Sequence, residues 1–354
     1  MRIVAAMSGG VDSSVAAALL AEEGHDVVGL SMQLYDQREG GQQFGSCCTL
    51  DDLHDARRVA ARLGIPHYIV NFERQFDQQV VSRFVGEYTA ARTPIPCVRC
   101  NSDLKFTALL ERAHGLDAPA VATGHYARVE RSADGTYLLK RGVDAAKDQS
   151  YFLFGLTQAQ LACARFPLGA RRKPEVRAYA EARSLPVARK PDSHEICFVP
   201  DGDYAAFVAR RAPDAVRPGR IVDGAGRTLG RHAGVHRFTV GQRRGLGISG
   251  PAPLYVTELD AASGRVTVGP RAALERSTLR AGAVNWIAGR APSGPLRAAA
   301  QIRHRHAAAP ARVSVLEDGA AHVEFEEAQP AITPGQAVVF YDGATVLGGG
   351  WIEK

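Results

Sequence analysis

Ser8-Gly9-Gly10-Val11-Asp12-Ser13-Ser14 lies between an apolar run, Ile3 to Met7, and an Ala/Leu run, Val15 to Leu20. That order reads as a buried strand, a glycine turn and a helix start. Adjacent glycines let the backbone aim successive N–H groups at one point, and the first helical turn adds unpaired N–H groups and the positive end of its dipole. Three serine hydroxyls add further donors. Such a nest holds phosphate. The Gly-x-x-x-x-Gly-Lys-[Ser/Thr] loop, whose lysine grips β- and γ-phosphates, is absent. Asp12 would repel a bare polyphosphate, so a Mg²⁺ ion is expected between them.

Outward from this stretch, strands and helices alternate. Val27 to Met32 and His67 to Val70 read as further buried strands, and Ala120 to Thr123 as a fourth. Helical periodicity fills Leu50 to Leu63 and about Phe76 to Ala90, and a helical pattern covers Gln158 to Arg165 around Cys163. Alternation at this spacing predicts a doubly wound parallel sheet, with ligands beyond the carboxyl ends of its strands. Ser8 to Ser14, Met32 and Gly124-His125 all fall there. Met32 is read equally as an adenine contact or as core, and Gly124 as a place where nucleotide approaches the backbone.

From about residue 205 the texture changes. Short β-like runs at Arg220 to Val222, Arg237 to Val240, Leu254 to Val256 and Val266 to Val268 surround a basic glycine loop, Gly241-Gln242-Arg243-Arg244-Gly245-Leu246-Gly247. Further runs, Ala299 to Ile302, Ala311 to Leu316, Ala321 to Phe325 and Ala337 to Tyr341, predict a β-barrel. The expected division is an α/β unit over 1–204, a small β domain over 205–275 and a barrel over 276–354. The net charge of +6 suits a polyanionic partner without demanding one, and its excess sits mainly in the second part. No apolar run is long enough to span a bilayer and the chain opens on a strand pattern, so a cytoplasmic protein with no membrane partner is expected.

Six cysteines in such a chain are not a disulfide framework. Cys47, Cys48 and Cys163 are left structural or unassigned. In Thr93-Pro94-Ile95-Pro96-Cys97-Val98-Arg99-Cys100-Asn101 two prolines predict a stiff loop, ahead of a helix from Asp103 to Arg112. Lys190-Pro191-Asp192-Ser193-His194-Glu195-Ile196-Cys197-Phe198 offers a second loop cysteine beside acid and histidine. A closed structural zinc site needs four ligands, and these loops supply three cysteines.

Six stretches, in order, resemble the bacterial tRNA-specific 2-thiouridylase family. They are Ala6 to Ser14, Cys100-Asn101-x-x-Leu104-Lys105-Phe106, Thr123 to Arg128, Lys147 to Leu153, Ile196-Cys197-Phe198 and Phe238 to Gly247. The first also resembles the pyrophosphate loop of enzymes that split ATP into AMP and pyrophosphate. The resemblance covers essentially the whole chain. It implies a three-domain enzyme that replaces the 2-carbonyl oxygen of the tRNA wobble uridine with sulfur. Carried over, Ala6, Met7, Ser8, Gly9, Gly10, Val11, Asp12 and Ser13, with Met32 and Gly124, bind ATP. Ile95, Pro96 and Cys97 lie against the target base. Lys147, Asp148 and Gln149, with Arg303, His304 and Arg305, contact tRNA. Cys100 is the catalytic cysteine and Cys197 carries a persulfide loaded by a sulfur-relay protein or cysteine desulfurase, the pair closing a transient disulfide.

Two departures from the family pattern stand out. Ile95 and Cys97 replace an Asn and an Asp, and Glu195 replaces a frequent glycine. They raise a second route, in which Cys97, Cys100 and Cys197 hold a [4Fe–4S] cluster with one open iron. Two competing functions are a ligase of the argininosuccinate- or GMP-synthetase kind, which has no use for Cys100 and Cys197, and an RNA-binding module that only senses nucleotide.

Overall fold

The computed structural model describes residues 1–35, 50–192, 196–199, 201–248 and 252–353. Cys47, Cys48 and Glu195 lie outside the described residues. Strands β1 (Arg2–Ala6), β2 (Asp26–Gln33), β3 (His67–Asn71), β4 (Val121–Ala122) and β7 (Ala164–Arg165) form one parallel sheet in the order β3-β2-β1-β4-β7. β1 has both faces covered, which is why Ile3, Val4 and Ala5 read as an uninterrupted apolar run. One face packs on α1 (Val11–Glu22) and on the helix Lys173–Ala182. The other packs on the helical run from Glu73 to Thr89 and on Leu104 and Leu109.

Local expectations failed at three places. The helix beginning at Gln158 stops at Cys163, and Ala164–Arg165 becomes the edge strand β7; two residues are too few to betray a strand by period. Arg237 to Val240 is no strand: Val235–Arg237 is a 3₁₀ turn. The segment carrying Cys97 and Cys100 is helical, not a loop. Pro96 opens the turn Pro96–Arg99, where a missing N–H leaves nothing unpaired, and Ile95 before it, at φ −121° and ψ 89°, stays out of the helical region as proline sterics require. The chain continues as a π-helix, Cys100–Ala108, then as Leu109–His114.

Residues beyond 204 form two further units. β8 (Gly219–Val222), β9 (Thr228–His232), β10 (Tyr255–Asp260) and β11 (Arg265–Gly269) make a small sheet in the order β10-β11-β8-β9. β12 (Glu275–Trp286), β13 (Leu296–Gln301), β14 (Ala309–Val315), β15 (Ala321–Pro330), β16 (Ala337–Asp342) and β17 (Thr345–Ile352) close into a six-stranded barrel through the β12–β17 pairing. The hairpin β5 (Ala127–Arg131) and β6 (Tyr137–Arg141) belongs by sequence to the first unit. It nevertheless extends the barrel sheet, with Lys140 opposite Thr345 and Leu139 opposite Val346. Leu139, Tyr151, Leu153 and Phe154 share one buried core with Ile287, Val339, Tyr341 and Val346 of the barrel.

Candidate active site

The glycine turn has the geometry its sequence suggests. Gly9 sits at φ +72°, and a Cβ there would lie 2.1 Å from the Asp52 carbonyl oxygen at the start of α2 (Leu50–Leu63). Gly10 caps α1 in extended conformation with no side-chain cap, leaving the first N–H groups of the helix without an intrahelical acceptor. Gly124, just past β4, packs so closely on this turn that a Cβ would come within 2.7 Å of the Ser13 nitrogen. The serines behave differently from the sequence reading. Ser13 and Ser14 hydroxyls both donate to the Gly10 carbonyl, at 3.1 and 2.8 Å, and Ser13 Oγ accepts from Ser8 N–H. They hold the turn's shape, while Ser8 is exposed. Met7 is pinned by the Ser31 hydroxyl, which donates to its carbonyl at 2.6 Å. Met32 is 7% exposed among Phe72, Phe76 and Leu34, so its side chain belongs to the core.

Asp12 is heavily engaged. Lys173 Nζ lies 2.8 Å from both of its oxygens, and the Tyr126 hydroxyl donates to Oδ1 at 2.8 Å. Burial, then the Asp12 charge and this hydrogen bond, push the Tyr126 phenol far above its ordinary range, so it stays a donor. Lys173 also contacts Asp192 Oδ1 at 2.8 Å, and Lys147 and Arg177 bond the same carboxylate at 2.8 Å each. Burial raises the Asp192 carboxyl, but the bonds from Lys147 and Lys173 outweigh it and hold it well below the carboxylate range. The Mg²⁺ expected at Asp12 would share this carboxylate with Lys173, which already engages both of its oxygens.

Chain 188–192 is strapped beside the nest. Arg177 donates to the Ala188 and Lys190 carbonyls, and Lys190 Nζ reaches Asp52 and Asp55 at 2.6 and 2.7 Å. Beyond the strap, Phe198 packs edge-on against Phe76 and Phe84, with centroids 5.5 and 5.0 Å away. Cys197, beside it, packs on the same apolar cluster that buries Cys100. Cys97 is exposed on the turn before Cys100. Among the described residues no three His, Cys, Asp or Glu side chains converge as a metal site.

The residues expected to touch tRNA divide. Lys147 is spent on Asp192. Asp148 accepts from Arg141, from the Gly142 and Ser150 N–H groups and from the Ser150 hydroxyl, a fully internal set. Gln149 and Tyr126 exchange bonds, Gln149 N to the Tyr126 carbonyl and Tyr126 N to Gln149 Oε1. These three fasten the hairpin to the nest. His304 and Arg305 are exposed, and the His304 ring lies 4.5 Å from that of Phe152. The Phe152 carbonyl in turn accepts from Asn101 Nδ2. The barrel loop 302–306 and the Cys100 helix thus meet through one phenylalanine. Arg303 is half-buried and donates to the Pro330 carbonyl. His125 is 8% exposed; burial, then the Lys105 charge, drive its pKa well down, and its Nδ1 bonds Thr123 Oγ1, a neutral packing residue.

Nothing in the sequence singles out Lys173, and Asp192 enters there only as an acid in the Cys197 loop. Lys173 stands in no motif, and only the packing of its helix on α1 brings it to Asp12.

Three family models match in succession: a tRNA methyl transferase HUP domain over residues 1–201, a tRNA methyl transferase PRC-barrel domain over 205–270, and an aminomethyltransferase beta-barrel domain over 276–352. The chain is 58% identical to the tRNA-specific 2-thiouridylase MnmA of Geotalea uraniireducens, over 99% of this chain and 95% of that one. It is 56% identical to its namesake in Solibacter usitatus, over 99% of each, and 55% to that of Geobacter metallireducens, over 99% and 96%.

Proposed function

The chain belongs to the tRNA-specific 2-thiouridylase family, and from that premise we propose that it exchanges the 2-carbonyl oxygen of the tRNA wobble uridine for sulfur by ATP-dependent adenylation followed by sulfur transfer. The observation that carries this reading is that Cys100 and Cys197, two cysteines far apart in sequence, belong to one apolar cluster, Cys100 within it and Cys197 packed against it. A ligase has no use for that pairing.

Oxygen is a poor leaving group from a pyrimidine carbonyl. Attack of O2 on the α-phosphate of ATP, held as its magnesium salt in the nest, expels pyrophosphate and leaves an adenylated base. Donors already aimed at the nest stabilise the departing charge without reorganising. The terminal sulfur of a persulfide on Cys197 then attacks C2, and AMP departs with the oxygen. The Cys100 thiolate attacks Sγ of Cys197, releasing the thiouridine sulfur and joining the two cysteines as a disulfide. An external thiol reduces that disulfide, and a sulfur-relay protein or cysteine desulfurase reloads Cys197.

Ile95, Pro96 and Cys97 border the target base in this reading. His304 and Arg305 on the barrel, with Arg243 and Arg244 on the basic glycine loop, hold phosphates. The reaction proceeds in the cytoplasm, where tRNA and ATP meet; among the described residues no helix is long and apolar enough to cross a membrane. The test is a tRNA transcript, ATP and a persulfide donor. Cys100→Ala forms AMP but no released 2-thiouridine, and Cys197→Ala likewise. Full thiolation by either variant overturns the assignment.

A further inference from the structure

The nest lacks the lysine with which the usual ATPase loop neutralises the outer phosphates of ATP. The structure supplies an ammonium group from elsewhere. Lys173, 8% exposed, opens the helix Lys173–Ala182, whose Val176 and Ala180 pack in the same core as α1. Its N–H donates to Asp144 Oδ2 at 2.9 Å, fixing the backbone. Its Nζ is delivered to the first turn of α1, 2.8 Å from each Asp12 oxygen and 2.8 Å from Asp192. A nearly buried ammonium between two carboxylates is a preset charge rather than a swinging arm. Around it stand Lys147 and Arg177 on Asp192, so Asp12 and Asp192 share three cations, with Asp144 on the Lys173 N–H as the third carboxylate of the group.

We propose that Lys173 is the cation that receives the β- and γ-phosphates of ATP and the departing pyrophosphate, and that Asp12 positions this lysine instead of ligating a metal ion. Magnesium then travels with ATP and does not depend on Asp12. No covalent bond to Lys173 forms or breaks. The two oxygens of Asp12 and the hydroxyl of Tyr126 fix where the charge stands before substrate arrives, which is what lowers the cost of reorganisation when pyrophosphate leaves. The inference rests on the adenylation reading above.

Calorimetric binding of inorganic pyrophosphate, measured beside tRNA-dependent AMP formation, tests it on the intact chain. Lys173→Met weakens pyrophosphate binding at least about tenfold and slows AMP formation by about 10²–10³, and Lys173→Arg recovers part of both. Because Lys173→Met leaves Asp12 without its cation, the neutral pair Asp12→Asn/Lys173→Met is measured too, and it binds pyrophosphate no better than the single variant. The Mg²⁺ concentration giving half-maximal rate stays within about twofold of wild type in Asp12→Asn, whereas loss of a metal ligand raises it by about tenfold or more. Pyrophosphate binding unchanged in Lys173→Met, or a tenfold higher Mg²⁺ requirement in Asp12→Asn, overturns the proposal. Wild-type protein that forms no AMP with tRNA yet loses pyrophosphate binding in Lys173→Met defeats the adenylation reading and leaves Lys173 in place.

Discussion

The barrel and the small middle sheet are both attached to the α/β unit, but by different physics. The barrel is joined through backbone: β17 pairs with β6 in register, and Phe154 lies so close under Gly349 that a Cβ there would sit 2.8 Å from its ring. Asn285 Nδ2 donates to the Phe154 and Leu156 carbonyls, and the Tyr151 hydroxyl donates to that of Ala337. Such contacts cannot slide without breaking ladder bonds and opening a core. The middle unit is joined through side chains. Its leading helix, Tyr204–Arg211, stacks Tyr204 on Tyr88 at 4.6 Å and places Phe207 5.5 Å from Phe198. Thr239 meets Thr93 through a single hydroxyl pair at 3.2 Å. A sheet extension makes one body of two units, whereas the middle unit, which carries the exposed Arg243 and Arg244, is held by the aromatic stack and by Ala91, buried in its core.

Three substitutions probe the contrast. Phe154→Ala removes a 2%-exposed ring at the seam and should cost about 3–5 kcal/mol. Calorimetry should then show the single transition of the barrel and α/β unit split in two; an unsplit transition would refute the common core. Tyr204→Ala should cost less, about 1–2 kcal/mol from the lost stack and burial. Limited proteolysis should open the chain around residues 201–203 while the barrel resists. Equal protection in the variant would mean that the clamp is not aromatic. Smallest is Arg211→Ala. Its bond to Asp77 at 2.6 Å joins two half-exposed side chains, so less than about 1 kcal/mol is expected, vanishing in high salt. A larger loss would show that charge, not stacking, holds the middle unit.

What could be read in advance followed the range of the interaction. Gly9, Gly10 and the apolar run before them are local, and strand, turn and helix came directly from them. The alternation of elements likewise carried the parallel sheet, and the turn-spaced runs after residue 205 carried the small β domain and the barrel. Hidden were features set by partners far along the chain. β5 and β6 pass for an ordinary hairpin until β17 arrives, and Lys173 sits 161 positions from the carboxylate it serves. The Cys97–Cys100 segment misled for another reason. Proline forbids a helix interior but favours a helix start, and only the turn at Pro96 decides which applies. Asp148 and Gln149 are the converse case, since polar residues in a loop look available until their internal bonds are counted.

Thr93 marks where the three units touch. Its N–H donates to the Pro334 carbonyl, its own carbonyl accepts from Gln336, and its hydroxyl meets Thr239. Two residues further on begins the segment Ile95 to Cys100.

The shared sheet also sets a timetable for the newborn chain. β6 leaves the ribosome with one edge unpaired, and its partner β17 follows only after the middle unit and most of the barrel have been made. At bacterial elongation speeds that interval is roughly ten to forty seconds. Throughout it Leu139, Tyr151 and Phe154 have no barrel to cover them, so the first unit cannot finish folding ahead of the rest, and it depends on a chaperone or on its own α/β core to stay out of trouble.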